Sequence, residues 1–112
     1  MTTNTFNNSQ VSLTTTSVTD VYQAPTSTGA VAIVMSCLVA NVNGTSSCDA
    51  SIIKTNSSNT EQSRIAHTIP VPNDTSLECV ATRIVLKAGE KLRAQASASN
   101  YLNVTVSVLE IT

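Results

Sequence analysis

The stretch LKAGEKL, at positions 86–92, holds the residues whose types and spacing most resemble a binding site. Gly89 lies between Lys87 and Lys91, and a glycine flanked by lysines could bind an anion through backbone N–H groups and positive charge. A phosphate loop, however, needs GxxxxGK[ST] at the start of a helix, whereas EKLRAQA after Gly89 has the alternation of a strand. Glu90 would also repel phosphate. We therefore predict a tight hairpin turn, with positive φ at Gly89.

Other side chains that could do chemistry are scattered along the chain. His67, the only histidine, alternates with Ile65 and Ile69, which predicts a core or interface histidine rather than a metal ligand. A metal site would need a second ligand at short spacing. The seven carboxylates show no paired pattern for acid–base catalysis, and no GxSxG nucleophile motif occurs. The sequence therefore predicts a non-enzymatic protein with no catalytic residue, cofactor or metal.

The three cysteines, Cys37, Cys48 and Cys79, lie far apart and form no CxxC pair. An odd count leaves at least one free thiol, and small buried core residues are the favoured interpretation. A Cys37–Cys48 or a Cys48–Cys79 disulfide stays open, because spacing alone does not fix connectivity.

The composition narrows the classes of partner. Of 112 residues only 12% are charged and the net charge is −1, so the sequence predicts no nucleic-acid partner, which would need clustered basic residues. Aromatic residues make up 3% and tryptophan is absent, which disfavours the stacking platforms of a carbohydrate-binding module. The apolar run GAVAIVMSCLVANV is shorter than the roughly 20 residues of a membrane-spanning helix. We therefore expect no membrane partner.

The elements that would position any site are strands. The β-branched stretch 31–42 is apolar on both faces of a strand, which indicates a central strand or one with a face covered by another subunit. Simple alternation predicts one face made of Val31, Ile33, Met35, Cys37 and Val39, and the other made of Ala32, Val34, Leu38 and Ala40. Asn43-Gly44 is a strong turn signal, and it predicts a hairpin between 31–42 and 48–55. Pro70 predicts that RIAHTIPV is an edge strand or ends there.

The C-terminal third alternates most regularly. EKLRAQASA places leucine and alanines on one face, and NVTVSVLEI places Val104, Val106 and Val108 against Thr105 and Ser107. About eight short strands with frequent turns and no helical stretch predict an all-β protein, an antiparallel β-sandwich of jelly-roll or Ig-like type. Residues 1–10 are predicted to be a flexible or extended arm, and 11–112 a single β-sandwich domain.

Several short motifs follow one another along the chain: DVYQAP at the start, AIVMSCLVANVNG in the first half, TIPVP near the middle, and LKAGEKLRAQAS with VTVSVLEI at the end. In this order they are similar to the motifs of a family of small structural proteins from the virions of tailed bacteriophages. The resemblance covers roughly residues 18–112. The chain departs from the family where Glu90 replaces the usual aspartate and in having three cysteines.

This resemblance implies a protein of the virion surface, made in the bacterial host cytoplasm and bound to the major capsid protein or other virion proteins. A capsid decoration (cement) protein is the first expectation, and a tail, neck or fibre component is the alternative. A carbohydrate-binding adhesion module is a third. A homo-oligomer, dimer or trimer, is also expected. The candidate contacts to a partner or to other subunits are Phe6, Val31, Ile33, Met35, Lys87, Lys91 and Arg93.

Overall fold

The computed structural model describes residues 3–79 and 83–112, and within these ranges the chain is all β, with strands in two antiparallel sheets. The strands are β1 (Asn4–Ser12), β2 (Thr19–Gln23), β3 (Val31–Asn41), β4 (Cys48–Thr55), β5 (Glu61–Val71), β6 (Ser76–Glu78), β7 (Ile84–Lys87), β8 (Lys91–Ala96) and β9 (Leu102–Ile111).

The strand order is that of a jelly roll. Sheet A runs β1-β9-β3-β6, with β7 also paired to β3, and sheet B runs β2-β8-β4-β5. β7 pairs with residues 31–34 of β3 and β6 with residues 38–40, so the two short strands share one strand position along the same edge. Eight strand positions in two four-stranded sheets are typical of the jelly roll. The predicted antiparallel β-sandwich is confirmed.

The core lies between the two sheets and is built from small and branched side chains. On β8, Leu92, Ala94 and Ala96 are buried, as the alternation predicted, and the valines of β9 face them from the other sheet. Burying such side chains away from water stabilises the fold by roughly 1.5–3 kcal/mol each for the valines and leucines. The alanines let the backbones of the two sheets approach closely.

A β-bulge divides β3, and it corrects the predicted faces of this strand. The register with β9 shifts between Val34 and Ser36, so Met35 is the extra residue. An extra residue reverses the inward and outward alternation after it. Cys37 and Val39 therefore join Val34 in the core, and do not share a face with Met35 as the sequence had indicated.

The predicted hairpin between 31–42 and 48–55 is wrong, because β3 belongs to sheet A and β4 to sheet B. The buried Asn41 redirects the chain: its Nδ2 donates to the carbonyl oxygen of Val71 in sheet B (2.9 Å). Its Oδ1 accepts from the N–H of Asn43 (2.9 Å), whose own Oδ1 accepts from the N–H of Thr45 (2.8 Å). These local bonds make a turn that crosses between sheets.

Gly89 forms the predicted tight turn, but this turn also connects the sheets and is not a hairpin. The N–H of Glu90 donates to the carbonyl of Lys87 (3.0 Å), and Gly89 has φ of 78°. A positive φ at the third turn position is that of a type II turn. The turn leads from β7 in sheet A to β8 in sheet B.

β5 is the edge strand of sheet B, as Pro70 predicted, but His67 does not lie on a buried face. Ala50 pairs with Ile69 while Ile52 pairs with Ala66, which leaves an extra residue in β5. Thr68 in this bulge has φ of 47°. The bulge changes the alternation, so Ala66 is buried and His67 is exposed. The prediction of a core position for His67 is therefore wrong, and an interface position for it stays a prediction.

Residues 4–10 belong to β1, which pairs with β9 over its whole length. The boundary predicted between an arm at 1–10 and a domain at 11–112 therefore falls inside a single extended strand. The stretch NDTSLECVA at positions 73–81 predicts a further short strand, and its residues 80 and 81 lie outside the described part of the chain, as do residues 1, 2 and 82.

Replacing Ala96 with Leu should lower the free energy of unfolding by about 1–3 kcal/mol, because Ala96 faces the opposite sheet and extra methylene groups overpack a close core. Urea unfolding measures the effect. Thr105→Leu is the control, since Thr105 is exposed on the outward face of β9. Equal effects of the two substitutions would contradict the assigned faces.

Replacing Gly89 with Ala should cost about 1–2 kcal/mol of unfolding free energy through backbone strain at positive φ. Space is not the cause, because an added Cβ would lie 3.5 Å from the nearest atom, a Cβ of Ser57. Gly44→Ala is the matched control: its φ is not in that region, and the nearest atom is at 3.9 Å. We expect Gly44→Ala to leave unfolding by urea unchanged within about 0.5 kcal/mol.

Candidate functional site

The outward face of sheet A carries a row of apolar side chains that crosses all four strand positions. In register, Leu109 of β9 lies opposite Phe6 of β1 on one side and Ile33 of β3 on the other. Ile33 in turn lies opposite Val85 of β7. Directly paired residues of antiparallel strands project from the same face of the sheet. We call these four residues, Phe6, Leu109, Ile33 and Val85, the outer apolar row.

This row is exposed at both ends. Phe6 is 75% exposed and Val85 is 52% exposed, while Ile33 and Leu109 between them are half-buried by their neighbours. Contiguous apolar surface of this kind commonly marks an interaction site, whereas single exposed apolar residues are ordinary. The row is therefore the strongest candidate for a contact surface on the described chain.

A second row extends the apolar surface towards one end of the sheet. Ile111 lies opposite Val31, and Val31 lies opposite Lys87, whose side chain projects beside that of Val85. The bulge residue Met35 is also exposed, at 36%. An apolar centre with a charged residue at its margin resembles the arrangement of protein–protein interfaces.

The structure thus gathers most of the predicted contact residues on one face. Phe6, Val31, Ile33, Met35 and Lys87 lie on the outer side of sheet A, although their role in binding remains a prediction.

The sequence reasoning missed Val85, Leu109 and Ile111. A signal for the last two was present, because they are apolar residues at positions of β9 where the alternation calls for polar ones.

Lys91 and Arg93 lie in the other sheet, so the three predicted charges do not line one contact. The side chain of Lys91 bonds to Asp20 at 3.1 Å, and that of Arg93 bonds to the other carboxylate oxygen. Arg93 also donates to the carbonyl of Val18 (3.2 Å), and Gln95 donates to that of Thr16 (3.1 Å). These side chains hold residues 16–20, which are the segment before β2 and the first two residues of β2, against β8.

The pKa of the Asp20 carboxyl is lowered from its ordinary value of 3.8. Partial burial by itself would raise this pKa, but hydrogen bonds from Lys91 and Arg93 and their positive charges outweigh it. Asp20 therefore stays ionised in the folded chain at pH values where it would begin to protonate in the unfolded chain.

The turn at Gly89 offers no free anion site. The N–H of Gly89 donates to the carbonyl of Pro25 (3.0 Å), and the N–H of Lys87 donates to the Glu90 carboxylate (2.7 Å). The same carboxylate forms an ion pair with Lys54 at 3.2 Å. The N–H groups of Gly89 and Lys87 and the ammonium group of Lys54 are therefore already bonded within the protein, as expected for a structural turn.

All three cysteines are free thiols, and the structure places Cys37 beside Cys79. The N–H of Cys79 donates to the carbonyl of Cys37 (2.8 Å), where β6 meets β3. Burial, together with the other thiol and Glu78, raises the pKa of Cys37 to about 12, and burial with Glu78 raises that of Cys79 to about 11. Cys48 packs separately, with its sulfur 3.4 Å from the Ser97 hydroxyl. The core interpretation is confirmed for Cys37 and Cys48, which are buried.

The part of the chain that the structure describes contains neither a candidate metal site nor a membrane-spanning helix. Over residues 3–79 and 83–112, His, Cys, Asp and Glu side chains form no group of three that could hold a metal ion. Within the same ranges, no helix has the length and apolar character needed to cross a membrane.

Comparison with known proteins identifies the fold and not a family. No family model matches the sequence, and no curated protein matches it at a significant level. Among the solved structures that share its fold are two from very different assemblies. One is from the Bacillus endospore appendages, a family of disulfide-linked pili, with a TM-score of 0.59, 9% identity, and coverage of 98% of this chain and 86% of that chain.

The other is from the acid-stable capsid of the Helicobacter pylori bacteriophage KHP30. It has a TM-score of 0.54 and 13% identity, over 100% of this chain and 94% of that chain. At such low identity the two likenesses show a shared β fold, found both in a phage capsid and in a bacterial spore pilus.

Asp20→Asn should destabilise the fold at pH 7 by up to about 1 kcal/mol, because Asp20 is half exposed and exposed ion pairs contribute little. Since the folded pKa lies below the unfolded one, this contribution is present above about pH 3.8 and disappears as the pH falls through the folded pKa. Urea unfolding of both proteins from pH 7 to pH 2.5 measures the difference. A difference that stays constant over this range would contradict the assignment.

Proposed function

We propose that this chain is a non-enzymatic structural protein of a bacteriophage virion, and within that class a decoration protein that stabilises the major capsid shell. The observation that carries the proposal is the outer apolar row, an exposed apolar surface across a complete sheet of a small jelly roll. The shared fold with a chain of a phage capsid supports it. Fold alone does not establish function, so the surface carries the weight.

The two faces of the sandwich differ in a way that suits binding through sheet A. On sheet B the long side chains of Lys91, Arg93 and Gln95 are bonded to the chain's own segment 16–20. On sheet A the outer apolar row has no such intramolecular cover among the described residues. Burying the outer apolar row against capsid subunits would remove apolar surface from water and stabilise the contact between this chain and the shell.

A tail, neck or fibre component is the second candidate, and the likeness to a pilus chain favours it. It would use the same surface to join copies or neighbouring proteins along an axis. A carbohydrate-binding module gains no support from the aromatic residues: Tyr22 is buried and bonded to Glu110, and Tyr101 is half-buried. Phe6 is the exposed aromatic residue of the described chain.

The test uses particles of the phage that encodes the chain, separated into heads and tails and depleted of the protein by mild denaturant. Purified protein is added back, and binding is followed by sedimentation and by cryo-electron microscopy. We expect saturable binding at symmetric positions on the outside of the head and greater resistance of heads to heat. Binding to tails alone would select the second candidate, and binding to neither would overturn the virion proposal.

The surface is tested with Val85→Lys, which places a charge at the exposed end of the outer apolar row. Val85 is already about half exposed, so the fold should tolerate the change, whereas head binding should weaken at least about tenfold. Ser63→Lys is the matched control, because Ser63 is exposed on the edge strand of sheet B and receives the same charge. If Val85→Lys binds as the unchanged protein does, the row is not the contact surface.

A further inference from the structure

β1 is the edge strand of sheet A, and it lacks the features that usually protect an edge from pairing. Its register with β9 is unbroken from Asn4 to Ser12, and it contains neither proline nor a charged residue. A long, regular and uncharged edge is a template for another strand.

The other edges of the described sheets are protected. β6 has three residues and β7 has four. β2 has a bulge after Asp20, and β5 has three register shifts and contains Pro70. Short strands, bulges, charges and proline all discourage edge-to-edge pairing. Among the described edge strands, β1 is therefore the one whose length, regular register and uncharged sequence leave it open to pairing with another strand.

The hydrogen bonds of β1 show which backbone groups face outward. Thr3 and Thr112 exchange both N–H···O bonds, at 2.7 and 2.9 Å. Because bonded pairs alternate along an antiparallel ladder, the odd residues of β1 bond to β9 and the even residues point to the open edge. In agreement, the N–H of Asn8 donates to the side-chain oxygen of Asn7 (2.9 Å).

We propose that β1 pairs with β1 of a second copy of this chain, antiparallel about a two-fold axis at Phe6, so that both sheets A become one continuous sheet. Phe6 is an even residue, so its N–H and C=O face the open edge and would bond to those of the other Phe6. Asn4 of each copy would lie opposite Asn8 of the other. A two-fold axis is the commonest symmetry of homo-oligomers.

The register at Phe6 is favoured by what it does to the outer apolar row. It places the two Phe6 side chains opposite each other on the same face, and the rows of both copies join end to end. Aromatic cross-strand pairs are stabilising, and Phe6, 75% exposed in one copy, would lose much of that exposure. An axis at Asn8 would instead place Phe6 opposite Gln10.

Charge favours a second copy over a different partner. β1 carries no charged residue, so two copies of it oppose no like charges. A partner selected by charge complementarity would find nothing to recognise along this edge. The proposal is independent of the virion role, because it concerns only the purified chain in solution.

The test is sedimentation equilibrium of the purified full chain and of Phe6→Asp and Phe6→Lys. We expect the unchanged protein to be a dimer and each variant to dimerise at least about tenfold more weakly, since each places like charges opposite each other on the axis. An equimolar mixture of the two variants should restore the dimer, as a one-to-one heterodimer. At concentrations low enough for the unchanged chain to be monomeric, the exposed position of Phe6 predicts the same melting temperature for the unchanged chain and for both variants.

Asn8→Asp with Asn8→Lys is the matched pair at the next outward residue. Rescue on mixing the Asn8 variants but not the Phe6 variants would move the axis and overturn the proposed register. Hydrogen exchange gives a second measurement: the amide of Phe6 should be protected in the dimer and exchange freely on dilution. A chain that remains monomeric to millimolar concentration, or a dimer unaffected by Phe6→Asp, would overturn the proposal.

Discussion

The pairing of β3 with β9 at the centre of sheet A is the constraint on which the rest of the structure depends. Ten residue pairs join the two strands, and every other strand of sheet A is attached to one of them. Their inner side chains form one wall of the core, including Val34, Val106 and Val108. Because the side chains of a strand alternate, fixing this wall also fixes which residues face outward. The exposed row of Phe6, Leu109, Ile33 and Val85 is a consequence of the same register.

The bulge at Met35 reconciles two demands on β3. Without an extra residue, Ile33, Cys37 and Val39 would all lie on one face of the strand. Cys37 and Val39 could then be buried only if Ile33 also pointed into the core in place of Val34. With it, both halves of β3 contribute to the core, and Met35 is displaced to the surface. A local irregularity thereby increases burial and adds an apolar side chain to the outer face.

The two surfaces of the sandwich have different chemistry because they are used differently within the chain. Sheet B uses its long polar side chains to hold a segment of the same molecule, and Asp20 is central to that network. Sheet A leaves apolar side chains outside and a regular strand at its edge. The same fold occurs in a capsid chain and in a pilus chain, so the fold by itself does not indicate which assembly a chain belongs to. The exposed surfaces of the chain carry that information.

The sequence by itself determined the fold class, most strand positions, the core faces of β8 and β9 and the two tight turns, since alternation and turn residues are local properties. It also predicted Phe6, Val31 and Ile33 as contact residues, a role that stays a prediction, and it did not find Val85 or Leu109 on the same face of the sheet. Only the tertiary structure decided the partners of each strand. Asn43-Gly44 and Gly89 mark turns, but whether a turn closes a hairpin or crosses between sheets depends on distant contacts, such as Asn41 with Val71. The bulges at Met35 and in β5 were likewise fixed by pairing with other strands, and they moved Cys37 inward and His67 outward.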